Sequence, residues 1–330
     1  MKDGFYPGRE SVYPEEREDR MNQADIETFL TLVKTRNITK TAESLYVSQP
    51  TVSHRLKLLE EELGVPLLIR KKGYKKVELT PKGEEFIPIA QRWLSLMKET
   101  LLLKNAGEEM YLSVASTDTL NSCIFKDLYR SILHDSQLNL KLNISTHYSY
   151  EIYELMEKHT VDVGFVYHRL HYKNIIAEPV LREKMYVVQE WNSAIRKNQI
   201  NVEELDPQKE VTFLWENNYH IWHDQMISKG KISGLEVDIY SLFSEFLRDE
   251  GRWAIAPVTV VNRLQSEQKV FVSEIGNKIK PPERVTYILR HKDMSEAKIN
   301  TLNIFEQRIH QYFEDSGLGR YMDRYTADTM

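Results

Sequence analysis

One short, mostly polar run at positions 48–55 contains side chains that could bind a ligand. Glutamine can form two hydrogen bonds to adenine, arginine can pair with guanine or phosphate, and the methyl group of threonine can contact thymine. The apolar Val52 and Leu56 would face a protein core. The side chains left to reach a ligand are Gln49, Thr51, Ser53, His54 and Arg55. This composition predicts contacts with base edges and phosphates of DNA.

A helix-turn-helix would hold this polar run in place. Apolar residues at helical spacing predict a first helix over about 25–35 and a second over 39–46. Ser48 is placed as the N-cap of a third helix, Pro50 falls in its first turn, and Gly64 ends it. In a helix-turn-helix the second helix of the pair enters the major groove of DNA through its N-terminal end. A three-helix bundle that binds another protein is the alternative.

A hairpin and a long helix follow. Positions 67–69 and 77–79 predict two strands around a basic turn, from which Lys75 and Lys76 can reach phosphate. Thr80 and Pro81 then begin a helix that reaches about Lys104. Its apolar stripe consists of Phe86, Ala90, Trp93, Met97 and Leu101. We expect this stripe to pack on another subunit, with burial inside the chain as the alternative.

The distribution of charge separates this N-terminal region from the rest of the chain. The 330 residues carry a net charge of −5, yet positions 34–76 hold ten Lys and Arg residues against four Asp and Glu residues. The region after position 105 is acidic, with 26 basic against 33 acidic residues. A basic segment in an acidic chain predicts nucleic acid as the partner of that segment alone.

From about residue 108 the pattern changes to strands that alternate with helices. The predicted strands are 111–115, 138–145, 161–167, 185–189, 211–215 and 253–256, and the predicted helices are 124–133, 149–158, 222–229 and 242–248. Such alternation predicts an α/β fold with a parallel, doubly wound sheet. The length of this region suits two such lobes with a cleft between them.

The predicted cleft has its own candidate residues, because ligands of open parallel sheets lie beyond the carboxyl ends of strands, at helix N-termini. In one lobe these residues are Ser116, Thr117, Thr119, Tyr148, Ser149, Tyr167 and His168, and in the other Glu216, Asn217 and Pro257. The hydroxyl groups suit a carboxylate ligand. An aromatic or cationic ligand would instead suit the acidic Asp118 and Glu216 and the rings of Tyr148, Tyr167, Trp215 and Tyr219. Each Ser or Thr could also be only a helix N-cap.

Several segments at fixed spacing carry a family resemblance. They are Ala42-Glu43-Ser44-Leu45, Val47-Ser48-Gln49-Pro50-Thr51-Val52-Ser53, Leu63-Gly64-Val65 and Leu79-Thr80-Pro81-Lys82-Gly83. Over residues 21–90 the sequence therefore resembles the LysR-type family of bacterial transcriptional regulators. Segments 112–117, 161–165 and 251–257 are similar to effector-domain strands of that family. Thr41 stands where the family usually has alanine, which we interpret as a tolerated exchange in the core.

The resemblance implies a domain order and a function. A winged helix-turn-helix would span 21–80, a dimerising linker helix 81–105 and an effector domain 106–330. Residues 1–20 are rich in Pro, Glu and Arg without periodicity, and this composition predicts a flexible extension or a misplaced start. The effector domain would resemble two-lobed periplasmic binding proteins, with lobe I at about 106–186 and 273–330 and lobe II at about 187–272. The implied activity is sequence-specific binding of double-stranded promoter or operator DNA by a homodimer or homotetramer, controlled by a small-molecule co-inducer. RNA polymerase is left open as a further partner.

The residues and the resemblance together give a set of predicted DNA contacts. They are Ser48, Gln49, Pro50, Thr51, Ser53, His54, Arg55, Arg70, Lys75 and Lys76.

Other functions find less support in the sequence. A single cysteine, Cys123, excludes an internal disulfide and favours a reducing cytoplasm. No apolar run is long enough to span a bilayer, so we expect a cytoplasmic protein without membrane contact. The histidine pairs 168/171 and 220/223 have the spacing of metal ligands but no matching carboxylate, so no metal or other cofactor is predicted. The common phosphate-binding, zinc-peptidase and serine-hydrolase motifs are missing, and we predict that the protein is not an enzyme. A small-molecule binding protein or enzyme, with the two-lobed region as its active part, is the alternative.

Overall fold

A computed structural model of the chain describes residues 21–69, 77–104, 110–136, 138–213, 215–228 and 234–322. The chain divides into two compact units between Lys104 and Asn105. The predicted extension over 1–20 lies outside the described residues, and so does the tip of the predicted wing with Arg70, Lys75 and Lys76.

Within residues 21–69 and 77–104, the N-terminal unit forms four helices and one short hairpin. The helices are α1 (Gln23–Thr35), α2 (Ile38–Ser44), α3 (Gln49–Leu63) and α4 (Pro81–Lys104), and the strands are β1 (Leu68–Ile69) and β2 (Glu78–Leu79). Local signals explain the boundaries of α3: Ser48 caps its first turn, Pro50 lies in that turn, and Gly64 ends it in the left-handed conformation at φ 68°. The predicted third helix, hairpin and long helix are therefore confirmed.

The core of this unit lies where α1, α3 and α4 meet. Ile26, Phe29 and Val52 are fully buried, and the rings of Phe29 and Phe86 lie 5.2 Å apart. Thr41 is also fully buried, and its hydroxyl donates to the carbonyl of Asn37 at 2.8 Å, so a threonine fits this core without an unsatisfied polar atom.

The apolar stripe of α4 is buried inside the chain in the first turns of the helix. Phe86 and Ala90 are buried inside the chain, so the expectation that the whole stripe packs on another subunit is wrong for its first turns. The alternative of internal burial holds there because α1 packs on this end of the helix. Two apolar residues of α4 outside this stripe, Ile89 and Leu96, remain more than half exposed.

The second unit is built around two sheets. The first contains β3 (Met110–Ser116), β4 (Leu140–Thr146), β5 (Val163–Val166), β6 (Ile175–Glu183) and β13 (Arg284–His291), in the order β4-β3-β5-β13-β6. The second contains β7 (Met185–Glu190), β8 (Gln199–Ile200), β11 (Trp253–Pro257) and β12 (Val270–Ile275), in the order β11-β7-β12-β8. A parallel pair, β9 (Val211–Phe213) and β10 (Leu235–Val237), adjoins the second sheet through a bridge between Glu210 and Trp253.

Helices cover these sheets. They are α5 (Asp118–Leu120), α6 (Lys126–His134), α7 (Ser149–Glu157), α8 (Asn217–His223), α9 (Tyr240–Phe246), α10 (Val258–Glu267) and α11 (Glu296–Asp315). A π-helical turn, Asn121–Phe125, joins α5 to α6, so the chain stays helical from Asp118 to His134. Among the described helices, none has the length and apolar content that a membrane crossing requires.

The prediction of purely parallel sheets is wrong. β3 pairs in parallel with β4 and β5, but β13 runs antiparallel to both β5 and β6, and β7 runs antiparallel to β11 and β12. The antiparallel pairs arise where the chain passes from one sheet to the other and back. Lys184 alone separates β6 from β7, and residues 276–283 separate β12 from β13.

Candidate functional site

The start of α3 presents to solvent five of the seven predicted DNA contacts that the structure describes. Ser48, Gln49, Pro50, Ser53 and His54 are exposed. The hydroxyl of Ser48 accepts a hydrogen bond from the backbone N–H of Thr51 at 3.2 Å, which fixes the start of the helix. The remaining free backbone N–H groups of such a turn favour a phosphate. The turn can therefore combine phosphate contact with hydrogen bonds to base edges.

Two predicted contacts are partly engaged within the protein. Thr51 is half-buried, and its hydroxyl lies 2.8 Å from that of Ser48. Arg55 is also half-buried, and its Nη1 donates to Thr28 Oγ1 at 3.4 Å. Arg55 therefore links α3 to α1, a role that its position in the sequence did not reveal.

The base of the predicted wing is fixed to the helices. Oε1 of Glu60, on α3, accepts hydrogen bonds from the backbone N–H groups of Leu67 and Leu68 at 2.8 and 3.0 Å. At the start of α4, the backbone of Gly83 comes so close to Leu67 that a Cβ atom on this glycine would lie 2.2 Å from the Leu67 carbonyl oxygen. These contacts therefore fix the hairpin, α3 and α4 relative to one another within the N-terminal unit.

The second unit has a cavity of about 650 Å³ between its two sheets. The described residues that line it follow the ends of strands β3, β4, β5, β9 and β10 or begin β13. They are Thr117, Asp118, Thr119, Thr146, His147, Tyr148, Ser149, Tyr150, Glu151, Tyr167, His168, Leu170, Phe213, Trp215, Glu216, Asn217, His220, Asp238, Ile239 and Arg284. This volume lies in the usual range for a site that encloses a small molecule.

Arg284 is the central polar side chain of the cavity wall. It is 4% exposed, and its Nε donates to Glu216 Oε1 at 2.9 Å while Nη2 donates to Thr119 Oγ1 at 3.1 Å. Its guanidinium carbon lies 3.3 Å from the ring centroid of Tyr167 and 4.3 Å from that of Trp215. Two aromatic faces and one carboxylate therefore hold the guanidinium in place.

The hydroxyl groups around Arg284 form a connected set. Thr119 Oγ1 and the Tyr167 hydroxyl are 2.9 Å apart, and Ser149 Oγ accepts a hydrogen bond from the Tyr167 backbone N–H at 3.3 Å. Burial raises the pKa of Tyr167, despite the opposing effect of Arg284, so this tyrosine stays a neutral hydroxyl. Burial lowers the pKa of Arg284, but Tyr167, Glu216 and Glu183 outweigh that effect, so the arginine stays charged.

Two further hydrogen bonds, in addition to that between Arg284 and Glu216, join the walls of the cavity. Asp118 Oδ2 accepts from the backbone N–H of Tyr240 at 2.6 Å, and the Tyr148 hydroxyl donates to Asp238 Oδ2 at 2.8 Å. Asp118 and Tyr148 belong to the lobe of the five-stranded sheet, whereas Tyr240 and Asp238 belong to the other. The hydrogen bond to Asp238 raises the pKa of Tyr148.

A buried carboxylate lies where the chain leaves the first sheet. Oε1 of Glu183 accepts from the backbone N–H and the hydroxyl of Thr259 at 2.9 and 2.6 Å, and these bonds cap α10. Oε2 is buried without a hydrogen-bond partner. Burial raises the pKa of Glu183, despite the opposing effects of Arg284 and Thr259.

Two family profiles match the chain. The profile described as bacterial regulatory helix-turn-helix protein, lysR family, matches residues 24–84, and the profile of the LysR substrate binding domain matches residues 105–302. The second match spans more than half of the chain. The chain belongs to the LysR family of bacterial regulators. This confirms the predicted family, the α/β architecture with its N-terminal helix-turn-helix, and a regulator with a DNA-binding and an effector-binding domain.

Similar regulators agree with this membership. The LysR-family chain is 25% identical to the HTH-type transcriptional regulator YraN of Bacillus subtilis (strain 168) over 281 residues, which are 82% of this chain and 91% of YraN. It is 34% identical over 99 residues to HdfR of Yersinia pestis (strain Pestoides F), covering 29% of this chain and 32% of HdfR.

Two full-length structures share the fold. A full-length variant of OxyR from Pseudomonas aeruginosa superimposes with a TM-score of 0.60 at 20% identity, covering 92% of this chain and 98% of that one. CbnR in complex with its target DNA superimposes with a TM-score of 0.59 at 18% identity, covering 88% and 100%. At such identities the likeness shows the fold of the regulator and no more.

The cavity of this LysR-family regulator brings together eight predicted effector contacts. They are Thr117, Thr119, Tyr148, Ser149, Tyr167, His168, Glu216 and Asn217. The other two lie elsewhere. Ser116 is fully buried at the end of β3 and its hydroxyl donates to Asn121 Oδ1, while Pro257 is buried at the end of β11, before the helix that Glu183 caps. Arg284 and Asp238 also line the cavity, and sequence reasoning missed both.

The remaining polar candidates of the regulator have structural surroundings. Burial raises the pKa of Cys123 well above its ordinary value, which does not favour a reactive thiolate. His223 is buried with Nε2 2.8 Å from Glu210 Oε1 and Nδ1 3.0 Å from Ser228 Oγ, and is not among the cavity-lining residues. Within the described ranges no group of three or more His, Cys, Asp and Glu side chains is arranged to hold a metal ion.

Proposed function

We propose that this LysR-family regulator binds an operator through the first turn of α3 and that a small molecule in the cavity of the second unit controls this activity. The observation that carries the proposal is the exposure of Gln49, Ser53 and His54 on a helix start that Ser48 fixes. Amide, hydroxyl and imidazole groups at this position suit hydrogen bonds to base edges.

Control by a ligand is supported by the construction of the second unit. A cavity of about 650 Å³ separates two sheets that are joined by Lys184 and, next to it, by residues 276–283. Two connections of this kind allow a ligand between the sheets to favour one relative orientation over another. Ligand and operator would then be coupled through the equilibrium between orientations.

Assembly into a homodimer or homotetramer is part of the proposal. Ile89 and Leu96 on α4 are exposed, which is unfavourable in water and suits contact with a second copy. A dimer would present two α3 helices to two half-sites one turn of DNA apart, a spacing of about 34 Å.

The test is binding of the purified protein to the DNA upstream of its own coding region, compared with scrambled DNA over a series of salt concentrations. We expect preference for the upstream DNA and a fall of about 0.9 log units in affinity per log unit of salt for each phosphate contacted. No binding to either DNA at low salt would contradict the proposal. It would favour the alternative, a small-molecule binding protein or enzyme in which the second unit is the active part.

A further inference from the structure

Carboxylates outnumber cations around the cavity. Four acidic side chains line it, namely Asp118, Glu151, Glu216 and Asp238, against the single arginine Arg284. Glu216 is paired with Arg284, and Glu151 lies 3.8 Å from His147. Among the residues that the structure describes, neither Asp118 nor Asp238 forms an ion pair. The cavity therefore has two negative charges that only neutral groups contact.

These two carboxylates both lie at contacts between the two lobes. Asp118 accepts from the backbone N–H of Tyr240, which is two residues after Asp238, and Asp238 accepts from the Tyr148 hydroxyl. Each carboxylate has further lone pairs available for a donor. An ammonium group has three donors and gains most from charged acceptors, and the aromatic ring of Tyr148 adds a face that attracts cations. This part of the wall suits an ammonium group.

A second and independent observation concerns unsatisfied donors in the same wall. Arg284 Nη1 and Thr117 Oγ1 are both buried without a hydrogen-bond partner. A buried donor without a partner is costly, and a guanidinium is best satisfied by a carboxylate. Thr117 also precedes the helical segment that starts at Asp118, without capping it through its side chain. This part of the wall suits a carboxylate group.

The rest of the lining is largely aromatic and apolar. Phe213 and Trp215 stack with ring centroids 4.3 Å apart, and Ile239, Leu170 and Tyr150 also line the cavity. The volume exceeds what an ammonium and a carboxylate group alone would fill. A planar apolar substituent between these two groups and the rings would occupy the remainder.

We infer that the effector is an α-amino acid with an aromatic side chain, its ammonium group bound by Asp118 and Asp238 and its carboxylate by Thr117 and Arg284. This inference rests on the proposed function, because it names the chemical class of the ligand in the same cavity. Neither a simple carboxylate nor a simple amine would satisfy both parts of the wall.

Calorimetric titration of the full-length protein tests the inference with three sets of matched probes. Each set contains an amino acid, L-phenylalanine, L-tyrosine or L-tryptophan, with its analogue that lacks the amino group and its analogue that lacks the carboxyl group. For phenylalanine these are 3-phenylpropionate and 2-phenylethylamine. We expect at least one amino acid to bind, and both of its analogues to bind more weakly by about tenfold or more, as for the loss of a hydrogen bond between charged groups. Equal or tighter binding of either analogue, or no binding by any of the three amino acids, would overturn the inference.

Substitutions locate the binding of the ammonium group. Asp118→Asn and Asp238→Asn keep the side-chain shape and an acceptor oxygen, and we expect each to weaken binding of the amino acid by about tenfold. Binding of the acid analogue should change little, because that analogue lacks the ammonium group. The matched control is Glu151→Gln, a carboxylate of the same wall that accepts from the Tyr148 backbone N–H. Equal losses in all three variants would contradict the assignment, since they would indicate a general charge effect.

Binding to upstream DNA is measured on the same preparations. Preference for that DNA with no amino acid binding would refute the inference and leave the proposed regulator intact. Amino acid binding with no DNA affinity at low salt would refute the proposed regulator and leave the ligand class supported.

Discussion

The guanidinium carbon of Arg284 lies over the phenol ring of Tyr167, 3.3 Å from the ring centroid. The same guanidinium is paired with Glu216, which belongs to the other side of the cavity. The wall of the cavity thus depends on a buried charge held by two ring faces, those of Tyr167 and Trp215, and one carboxylate. Breaking the ion pair between Arg284 and Glu216 should lower the stability of the second unit and also change the binding of any ligand in the cavity.

Replacing Arg284 with methionine should destabilise the second unit. The substitution leaves Glu216 largely buried without its cation, and loss of one partner of a buried pair typically costs about 3–5 kcal/mol. Urea denaturation of the full-length protein, followed by tryptophan fluorescence, measures the loss. Arg182→Met is the matched control, because its ion pair with Glu283 is partly exposed and should contribute less than about 1 kcal/mol. The double variant Arg284→Met with Glu216→Gln should recover part of the loss, and no recovery would argue against the pair.

The variant Glu183→Gln should change the dependence of stability on pH. Because burial raises the pKa of Glu183 in the folded protein, its protonated form stabilises the fold, and that stabilisation is lost as pH rises through the raised value. Glutamine keeps the acceptor for Thr259 and does not titrate. Relative to the variant, the wild type should therefore be less stable at pH 8 than at pH 5, as melting temperatures across a pH series would show. A difference that is constant over pH would exclude this explanation.

Replacing Gln49 and His54 together with alanine should abolish preference for the operator while the fold remains intact. Both side chains are exposed, so their removal leaves the core unchanged, and each contact to a base edge contributes about 1–3 kcal/mol of discrimination. Competition between upstream and scrambled DNA measures the effect, with circular dichroism as the check on folding. Glu62→Gln at the far end of α3 is the control, and it should retain the preference. Retention by the double variant would place the base contacts elsewhere.

Gly83→Ala should destabilise the N-terminal unit. The added Cβ would lie 2.2 Å from the carbonyl oxygen of Leu67, so α4 or the hairpin must move. Overpacking of this kind costs about 1–3 kcal/mol, although alanine is otherwise favoured in a helix. Thermal unfolding followed at the helical circular-dichroism signal measures the cost, with Lys82→Ala at the exposed neighbouring position as the control. Unchanged unfolding in Gly83→Ala would show that the close approach is not required.

Helix α3 could be predicted from the sequence because its signals are local. Ser48, Pro50 and Gly64 each act within one turn of the helix that they begin or end. The loops after β3, β4 and β5 could be predicted for a similar reason, since a strand followed by a helix places the intervening residues at one edge of the sheet. These loops contribute most of the predicted residues found at the cavity.

The central residue of the cavity could not be predicted in this way. Arg284 contacts Thr119, which is 165 positions away, and only the return of the chain through residues 276–283 brings them together. The strands β6 and β13, which pair with each other, were missed because charged residues and Pro179 obscure their alternation. Helix α8 was predicted from Trp222, but it begins at Asn217, since polar residues form its first turn.

The two connections between the sheets differ in length, and this has a mechanical consequence. A single residue, Lys184, gives the lobes a nearly fixed pivot, and residues 276–283 form a longer connection beside it, because Arg284 pairs with Glu183. One lobe would then rotate relative to the other about a point next to β6, and the displacement of each strand would grow with its distance from that point. β4 is four strands away from β6, about 19 Å at the usual spacing, so a rotation of about 10° would move it by about 3 Å. The five-stranded sheet can thus act as a lever that turns small adjustments at the cavity into a displacement of its outer edge.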